Sequence, residues 1–389
     1  MIFHRMRSLL KKSLLSLRRG GLFLLVLCGA GRPKRKFPES PGRILVISQQ
    51  RLGDAVLSLP CVSVLRGRFP GARILVLCPP AVREIFDLCP GVDDVMVGTC
   101  RGGLTGIRRL VRSLRENEFD LVIDLNTDGL LFPAFLAGLA GSGYSVGYGQ
   151  DGRGVFFDEV VPGPDGEKHT VDRLLALLVP LGVENPSREV RLDLPGNATE
   201  PFRPGHPVGR KNEGIPLVGV HPGGTHWTQR WPVEYFAELS DLLIEKGSAR
   251  VVLCGGPSDW EILRRVQERM RMRPEVAPPF PSLRDFAVFL SRLDLLICNN
   301  SGPLHLACAV GTKTFSFMGP TKAVQWWPQG MEHHVFRMND LPCIGCNRGW
   351  CRVKTHDCMR GILPDEVFRA FRKAFRQTAV PGPAAVHPL

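Results

Sequence analysis

What most constrains this chain is a rhythm that runs through it twice: short, unbroken apolar runs separated by stretches with helical spacing. Runs that are apolar along their whole length suit strands buried on both faces. The helical stretches between them supply the crossovers that parallel strands require. The first round predicts strands at Arg43–Ser48, Arg73–Cys78, Asp94–Val97, Asp120–Leu125 and Ser145–Tyr148. The second predicts them at Leu217–His221, Arg250–Cys254, Asp294–Cys298 and Lys313–Phe317. Between the rounds, residues 196–214 are rich in Pro, Gly and charge and poor in apolar side chains, which marks a linker. The expected class is α/β, with two doubly wound, Rossmann-like domains facing each other across a cleft. Residues 42–195 form the first domain and 215–363 the second, followed by a helix over 364–377 and a disordered tail over 378–389. At 389 residues the chain exceeds what one core organises, and a hydrophobic content of 44% fills two.

The formal charge of +13 is concentrated rather than spread. Residues 1–36 hold ten Lys or Arg and no acid, so the remainder carries 13 − 10 = +3. A nucleic-acid protein would distribute positive charge over its folded body, so no nucleic-acid partner is expected. The leader, residues 1–41, alternates its cations with Leu and Phe, and SLLKKSLLSLRR (8–19) has the pattern of an amphipathic helix. The apolar run Leu22–Cys28 is far shorter than the ~20 residues a spanning helix needs. A cleavable signal ending at Cys28-Gly29-Ala30-Gly31 is the rival reading, but the basic stretch Arg32–Lys36 opposes export. The expectation is a cytoplasmic protein held peripherally on the inner membrane surface.

Eight of the twelve cysteines are scattered, several within the predicted strands, and read as reduced core residues. The other four form Cys343-x-x-Cys346-x(4)-Cys351-x(6)-Cys358. Two thiolates on a short turn and two returning can meet one tetrahedral zinc ion, so these four are the candidate ligands of a structural zinc; reduced thiols and local disulfides are the other readings of the spacing.

Loops after the predicted strands carry the candidate chemistry, since ligands of open α/β sheets gather at the carboxyl ends of strands. The first strand leads into QQRLGDAVLSLP, where Gly53 permits close backbone approach and Asp54 either caps a helix or projects a carboxylate into the cleft. The three spaced glycines of a dinucleotide fingerprint are absent there, which argues against a nicotinamide oxidoreductase. In the second half, HPGGTHWTQRWP offers glycine N–H groups, the Thr225 hydroxyl and the Arg230 fork. GGPSD ends in Asp259, a carboxylate able to accept from ribose hydroxyls. The stretch NNSGPLHLACAVG puts small polar residues at a helix start, where free N–H groups and the dipole attract a phosphate.

Taken in order, RLGDAVLSLP, FDLVIDLN with SVGY, HTVDRLLALLVPLG, VGVHPGGTHWTQRWPVEYFAEL, VVLCGGPSD, ICNNSGPLHLACAVGTKTFSFMGPT and the Cys-rich segment ending CMRGILPDEV resemble the lipopolysaccharide heptosyltransferases of glycosyltransferase family 9. The resemblance covers about residues 42–375. It implies the GT-B arrangement, an ADP-heptose donor held mainly by the C-terminal domain, a lipid A-Kdo acceptor held mainly by the N-terminal one, inversion at the anomeric carbon, and no cofactor needed for catalysis. By position it makes Asp54 the general base. Gly53, Gly223, Gly224, Thr225, Arg230, Asp259, Asn300, Ser301, Gly302 and His305 would hold the nucleotide sugar. The acceptor's acidic groups would meet Arg101, Arg108 and Arg112, the last two sharing a helix face with Arg115.

Two positions depart from the family pattern. Gln229 stands where a Lys is expected before Arg-Trp-Pro, and Asn300 stands where many relatives carry an acid. These departures keep two alternatives open, a family member using another nucleotide sugar and an inactive nucleotide-sugar-binding relative.

Overall fold

The computed structural model describes residues 35–98, 103–141, 143–190, 192–194, 214–330 and 332–375. Most of the leader, Arg101, the linker up to Gly214 and the tail lie outside the described residues. The first sheet contains β1 (Arg43–Ile47), β2 (Arg73–Cys78), β3 (Asp94–Val97), β4 (Leu121–Asp124), β5 (Tyr144–Tyr148) and β6 (Glu159–Val161). The second contains β7 (Leu217–His221), β8 (Arg250–Leu253), β9 (Glu275–Val276), β10 (Leu295–Asn299), β11 (Lys313–Phe317) and β12 (His333–Phe336). The helices that matter below are α1 (Leu52–Arg68), α2 (Gly103–Glu116), α3 (Leu131–Leu139), α4 (Thr170–Leu175), α5 (Val233–Glu245), α6 (Trp260–Gln267), α7 (Leu283–Ser291), α8 (Gly302–Ala309) and α9 (Pro364–Phe375).

Both sheets are parallel, and both have the same winding. The first runs β3-β2-β1-β4-β5-β6, with Ile44 opposite Ile74 on one side and Leu121 on the other. The second runs β12-β11-β10-β7-β8-β9, which is the same 3-2-1-4-5-6 order counted from its own first strand. The order reverses between β1 and β4 and again between β7 and β10. At these two switch points adjacent loops diverge and leave a crevice at the strand ends. The edge strands β6, β9 and β12 add to the strands expected from the sequence. They are short and carry polar residues, so they lack the continuous apolar run that marks a central strand.

The inner faces of the two sheets share one hydrophobic core. It runs from Ile44, Val46 and Val76 through Val56, Leu59 and Val62 of α1 to Leu304 and Leu306 of α8, then to Cys298 of β10. Along α1, Ala55, Leu59 and Val62 recur at helical spacing on the buried side. Outer clusters cover the far faces, one with Leu45, Leu114 and Leu136, the other with Trp231, Phe236, Phe317 and Phe371. Trp231 stacks on Phe317 at 4.2 Å between ring centroids, and its indole N–H donates to the Ile362 carbonyl at 2.9 Å. A large aromatic side chain is buried here with its one polar group satisfied.

Helices α1 and α8 pack closely because each presents a glycine at the crossing, against a side chain of the other. A Cβ on Gly302 would lie 2.9 Å from the Leu52 Cβ, and one on Gly53 would lie 3.1 Å from the His305 ring. This contact joins the two halves and brings two helix N-termini to the same place.

Candidate active site

Between the halves lies a cavity of 1040 Å³, walled by the loops that leave both switch points. From the N-terminal half come Arg51, Leu52, Gly53 and Asp54 at the start of α1, with Pro80, Ala81 and Glu84 beside them. From the C-terminal half come Gly224, Thr225, Gln229 and Arg230 after β7, Gly255 to Asp259 after β8, and Asn300 to Gly302 with His305 after β10. Asp54 and Trp326, 272 positions apart in sequence, thus face one volume.

Asp54 lies in the first turn of α1, and Arg51, the N-cap residue, makes no side-chain cap. Burial raises the Asp54 carboxyl, and the charge of Asp128 adds to this. Arg51 and backbone N–H groups oppose the rise without cancelling it, so the pKa reaches about 6. The fold thus supplies a carboxylate poised nearer neutrality, where general bases work well.

Opposite, α8 begins at Gly302 with Ser301 as N-cap, and no side chain caps this end. The Ser301 hydroxyl turns back to the Asn299 carbonyl at 3.3 Å. The helix dipole therefore opens into the cavity without a resident carboxylate, an arrangement suited to an anion. His305, one turn on, is held neutral: burial and the nearby His169 lower its pKa to about 3.

Asn299 was not among the site residues expected from sequence, although it lies in the motif. It is fully buried, and its amide donates to the carbonyls of Pro222 and Gly223 at 2.9 and 3.0 Å while its oxygen accepts from Trp231 N–H at 2.8 Å. One side chain on β10 thereby fixes the loop after β7. Within that loop Arg230 directs Nε and Nη2 to the Gly224 carbonyl at 2.9 and 2.7 Å, which orients the fork at the cavity wall. Gly223 does not line the cavity. A Cβ there would meet Asp259 Oδ1 at 2.3 Å, so its lack of a side chain makes room for that carboxylate.

Asp259 accepts from Gly256 N–H at 3.0 Å and stands 3.5 Å from His221 Nε2. Burial raises its pKa, but His221, the Gly256 N–H and Arg230 outweigh burial and hold the carboxyl below its usual value. Beyond it, Phe280 and Phe286 close one end of the cavity with an apolar wall, which no sequence motif signalled. His221 Nδ1, also in this wall, is buried without a partner.

Arg108 and Arg112 are exposed on α2 and do not line the cavity. Arg101 lies outside the described residues. The four cysteines do come together around a smaller cavity of 180 Å³ with Thr228 and His356. Burial, then the neighbouring thiols, raises Cys358 to about 11. Among the described residues, however, no three His, Cys, Asp or Glu side chains are arranged to hold a metal ion. The zinc expectation for Cys343, Cys346, Cys351 and Cys358 is therefore not supported: the thiols share a pocket but do not converge as a coordination sphere must.

Comparison with known proteins agrees with this architecture. The profile of glycosyltransferase family 9 (heptosyltransferase) matches residues 107–356. Lipooligosaccharide heptosyltransferase 2 of Campylobacter jejuni is 25% identical over 172 residues, 43% of this chain and 54% of the relative, so the match spans about half of that protein. Lipopolysaccharide heptosyltransferase 2 of Salmonella typhimurium is 27% identical over 318 residues, 76% of this chain and 88% of the relative. In three dimensions the chain is similar to the ADP-heptose LPS heptosyltransferase II of E. coli, with a TM-score of 0.71 at 21% identity, covering 87% of this chain and 100% of that one. That likeness carries the GT-B fold. With the family profile matching well over half of its length, the chain belongs to glycosyltransferase family 9, the heptosyltransferases.

Proposed function

We propose that this family member is an inverting heptosyltransferase that moves heptose from ADP-heptose to a hydroxyl of the lipopolysaccharide inner core, with Asp54 as the general base. The observation that carries the reading is the meeting of a poised carboxylate and an uncapped helix N-terminus in one cavity, Asp54 from α1 and Ser301-Gly302 from α8. The names of its relatives support the donor and the acceptor class.

In this reading adenine packs at the apolar end against Phe280 and Phe286, where the unpartnered His221 Nδ1 can meet its polar edge. Asp259 accepts from the ribose. The diphosphate lies at the start of α8, with Thr225 and Arg230 beside it. Asn300 and neutral His305 hydrogen-bond the sugar. The acceptor approaches from the N-terminal half, with the exposed cations of α2 nearby. Asp54 takes the acceptor hydroxyl proton as that oxygen bonds to the anomeric carbon, and the bond to ADP breaks on the opposite face. Charge developing on ADP is met by Arg230 and the N–H groups at the α8 start, donors already oriented before reaction. Gln229 supplies no charge here, so Arg230 is the cation of this loop. The basic leader would hold the enzyme at an anionic membrane, which raises its encounter rate with a lipid-linked acceptor.

A single displacement inverts the anomeric carbon. NMR of the purified product is expected to show the configuration opposite to that of the donor; retention would overturn the one-step mechanism.

A further inference from the structure

One arginine of the cavity wall takes no part in the reading above. Among the described residues the wall carries three guanidinium groups, Arg51, Arg230 and Arg348, and three carboxylates, Asp54, Glu84 and Asp259. Arg51 acts on Asp54, and Arg230 acts on Asp259 while committing Nε and Nη2 to the Gly224 carbonyl. Glu84 accepts from Arg284 N–H at 2.9 Å. Arg348 is left over. Among the described residues its side chain makes no hydrogen bond and no ion pair, and its guanidinium lies over the Trp350 ring, 5.3 Å from the centroid. A guanidinium stacked on an aromatic face keeps its N–H edge available to an anion.

The loop that carries Arg348 is fastened to the loop after β7. Thr228 Oγ1 donates to the Arg348 carbonyl at 2.9 Å, and the Thr228 carbonyl accepts from His356 Nε2 at 2.7 Å. Asn347 N–H donates to the Pro320 carbonyl at 2.6 Å, which ties the same loop to the segment after β11. Gly349 lies close on the β7 loop, where a Cβ would stand 3.3 Å from His226 Nδ1. Residue 348 is therefore held against residue 228, next to Gln229 and Arg230, whose side chains belong to the same cavity wall. The four cysteines lie in this segment, and Arg348 borders both their small cavity and the large one.

We propose that Arg348 reaches the donor diphosphate from the Cys-rich loop and supplies there the positive charge that the neutral Gln229, beside it, does not. This deepens the transferase reading and rests on it. A leaving diphosphate carries more negative charge than one guanidinium and one helix N-terminus offset, since such a terminus is worth roughly half a charge. A second fork on a loop already fixed to the β7 loop supplies the remainder with little rearrangement during reaction.

The test uses the full chain as Arg348→Gln, Gln229→Lys and the double variant, with ADP and adenosine as calorimetric probes. Arg348→Gln is expected to weaken ADP by about tenfold, the scale of a lost charge-assisted hydrogen bond, while adenosine stays within about twofold and Tm is unchanged. Adding Gln229→Lys should restore most of the ADP affinity in the Arg348→Gln background and gain less in the wild-type background, because one charge then stands in for the other. With Kdo-bearing lipid A as acceptor, the KM for ADP-heptose should follow the ADP affinities and the acceptor KM should not. A wild type that transfers heptose while Arg348→Gln keeps its ADP affinity overturns the inference alone. An equal loss for adenosine, or a loss that Gln229→Lys does not restore, overturns it too, since either would make Arg348 a structural residue of its loop. A wild type that binds ADP in an Arg348-dependent way but transfers nothing overturns the transferase reading and leaves the diphosphate site standing. If the wild type does not bind ADP, both fall.

Discussion

Asp54→Asn is expected to lower kcat by about 10²- to 10⁴-fold, the range a positioned general base contributes, while ADP-heptose binds within twofold of the wild type. Asn keeps the size and most of the hydrogen-bonding capacity of Asp, so the loss isolates proton acceptance. The same substitution should stabilise the protein above neutrality. The folded pKa lies at about 6 against an ordinary 3.8, and an acid raised in this way contributes stability fully below the lower value and loses it as pH climbs through the higher. The gap corresponds to about 3 kcal/mol that the wild type forgoes at pH 8 and Asn does not. Melting temperatures should therefore favour Asp54→Asn at pH 8, with the difference shrinking towards pH 4. A site under selection for fold stability alone would not place a carboxylate destabilised by burial there. Equal activity of variant and wild type would remove Asp54 from the mechanism.

Arg153→Ala is expected to be among the most damaging changes in the molecule, destabilising it by about 3–5 kcal/mol in urea unfolding. Arg153 and Asp124 are both 0% exposed, with Arg153 Nη1 3.6 Å from Asp124 Oδ2. Burial pushes the Asp124 carboxyl up to about 6, opposed first by Arg153 and then by Asn126. Removing the guanidinium leaves a buried carboxyl whose Oδ2 already lacks a hydrogen bond, and it releases the Asn126 carbonyl. The loop after β4 that carries Asp128, the charge beside Asp54, would loosen with it. Activity should fall alongside stability for that reason. The double variant Asp124→Leu, Arg153→Met should recover much of the stability, because replacing a whole buried pair is far less costly than breaking it. A loss below 1 kcal/mol for Arg153→Ala would show that the pair is solvated and that this description of the β4 loop is wrong.

The central strands were legible because each is buried on both faces and so is apolar throughout: β1, β2, β7 and β11 begin where the sequence indicates. The edges were not. Glu275–Val276 is two residues long, and His333–Phe336 opens with two histidines, so neither offers a period to read. Motifs after β1, β7, β8 and β10 marked residues that line the cavity, since chemistry at strand ends is local in sequence. What escaped depends on contacts between distant segments. The Gly53–Gly302 crossing, the Asn299 bridge to the β7 loop and the contact of His169 with the Trp327 carbonyl each join residues whose partners no local pattern names. The raised pKa of Asp54 belongs to this class, being set by burial between two halves and by Asp128. The cysteine spacing suggested a metal site, but ligand spacing constrains reach and not convergence, and the side chains share a pocket without forming a coordination sphere.

The most direct test of the account is the initial rate of transfer from ADP-heptose to Kdo-bearing lipid A by the purified full chain, measured beside Asp54→Asn. Wild-type product formation, with the variant slowed by two orders of magnitude or more at unchanged donor affinity, is the predicted result. Tight ADP binding with no transfer by the wild type would contradict it, leaving a cleft that holds a nucleotide but does not move heptose to this acceptor.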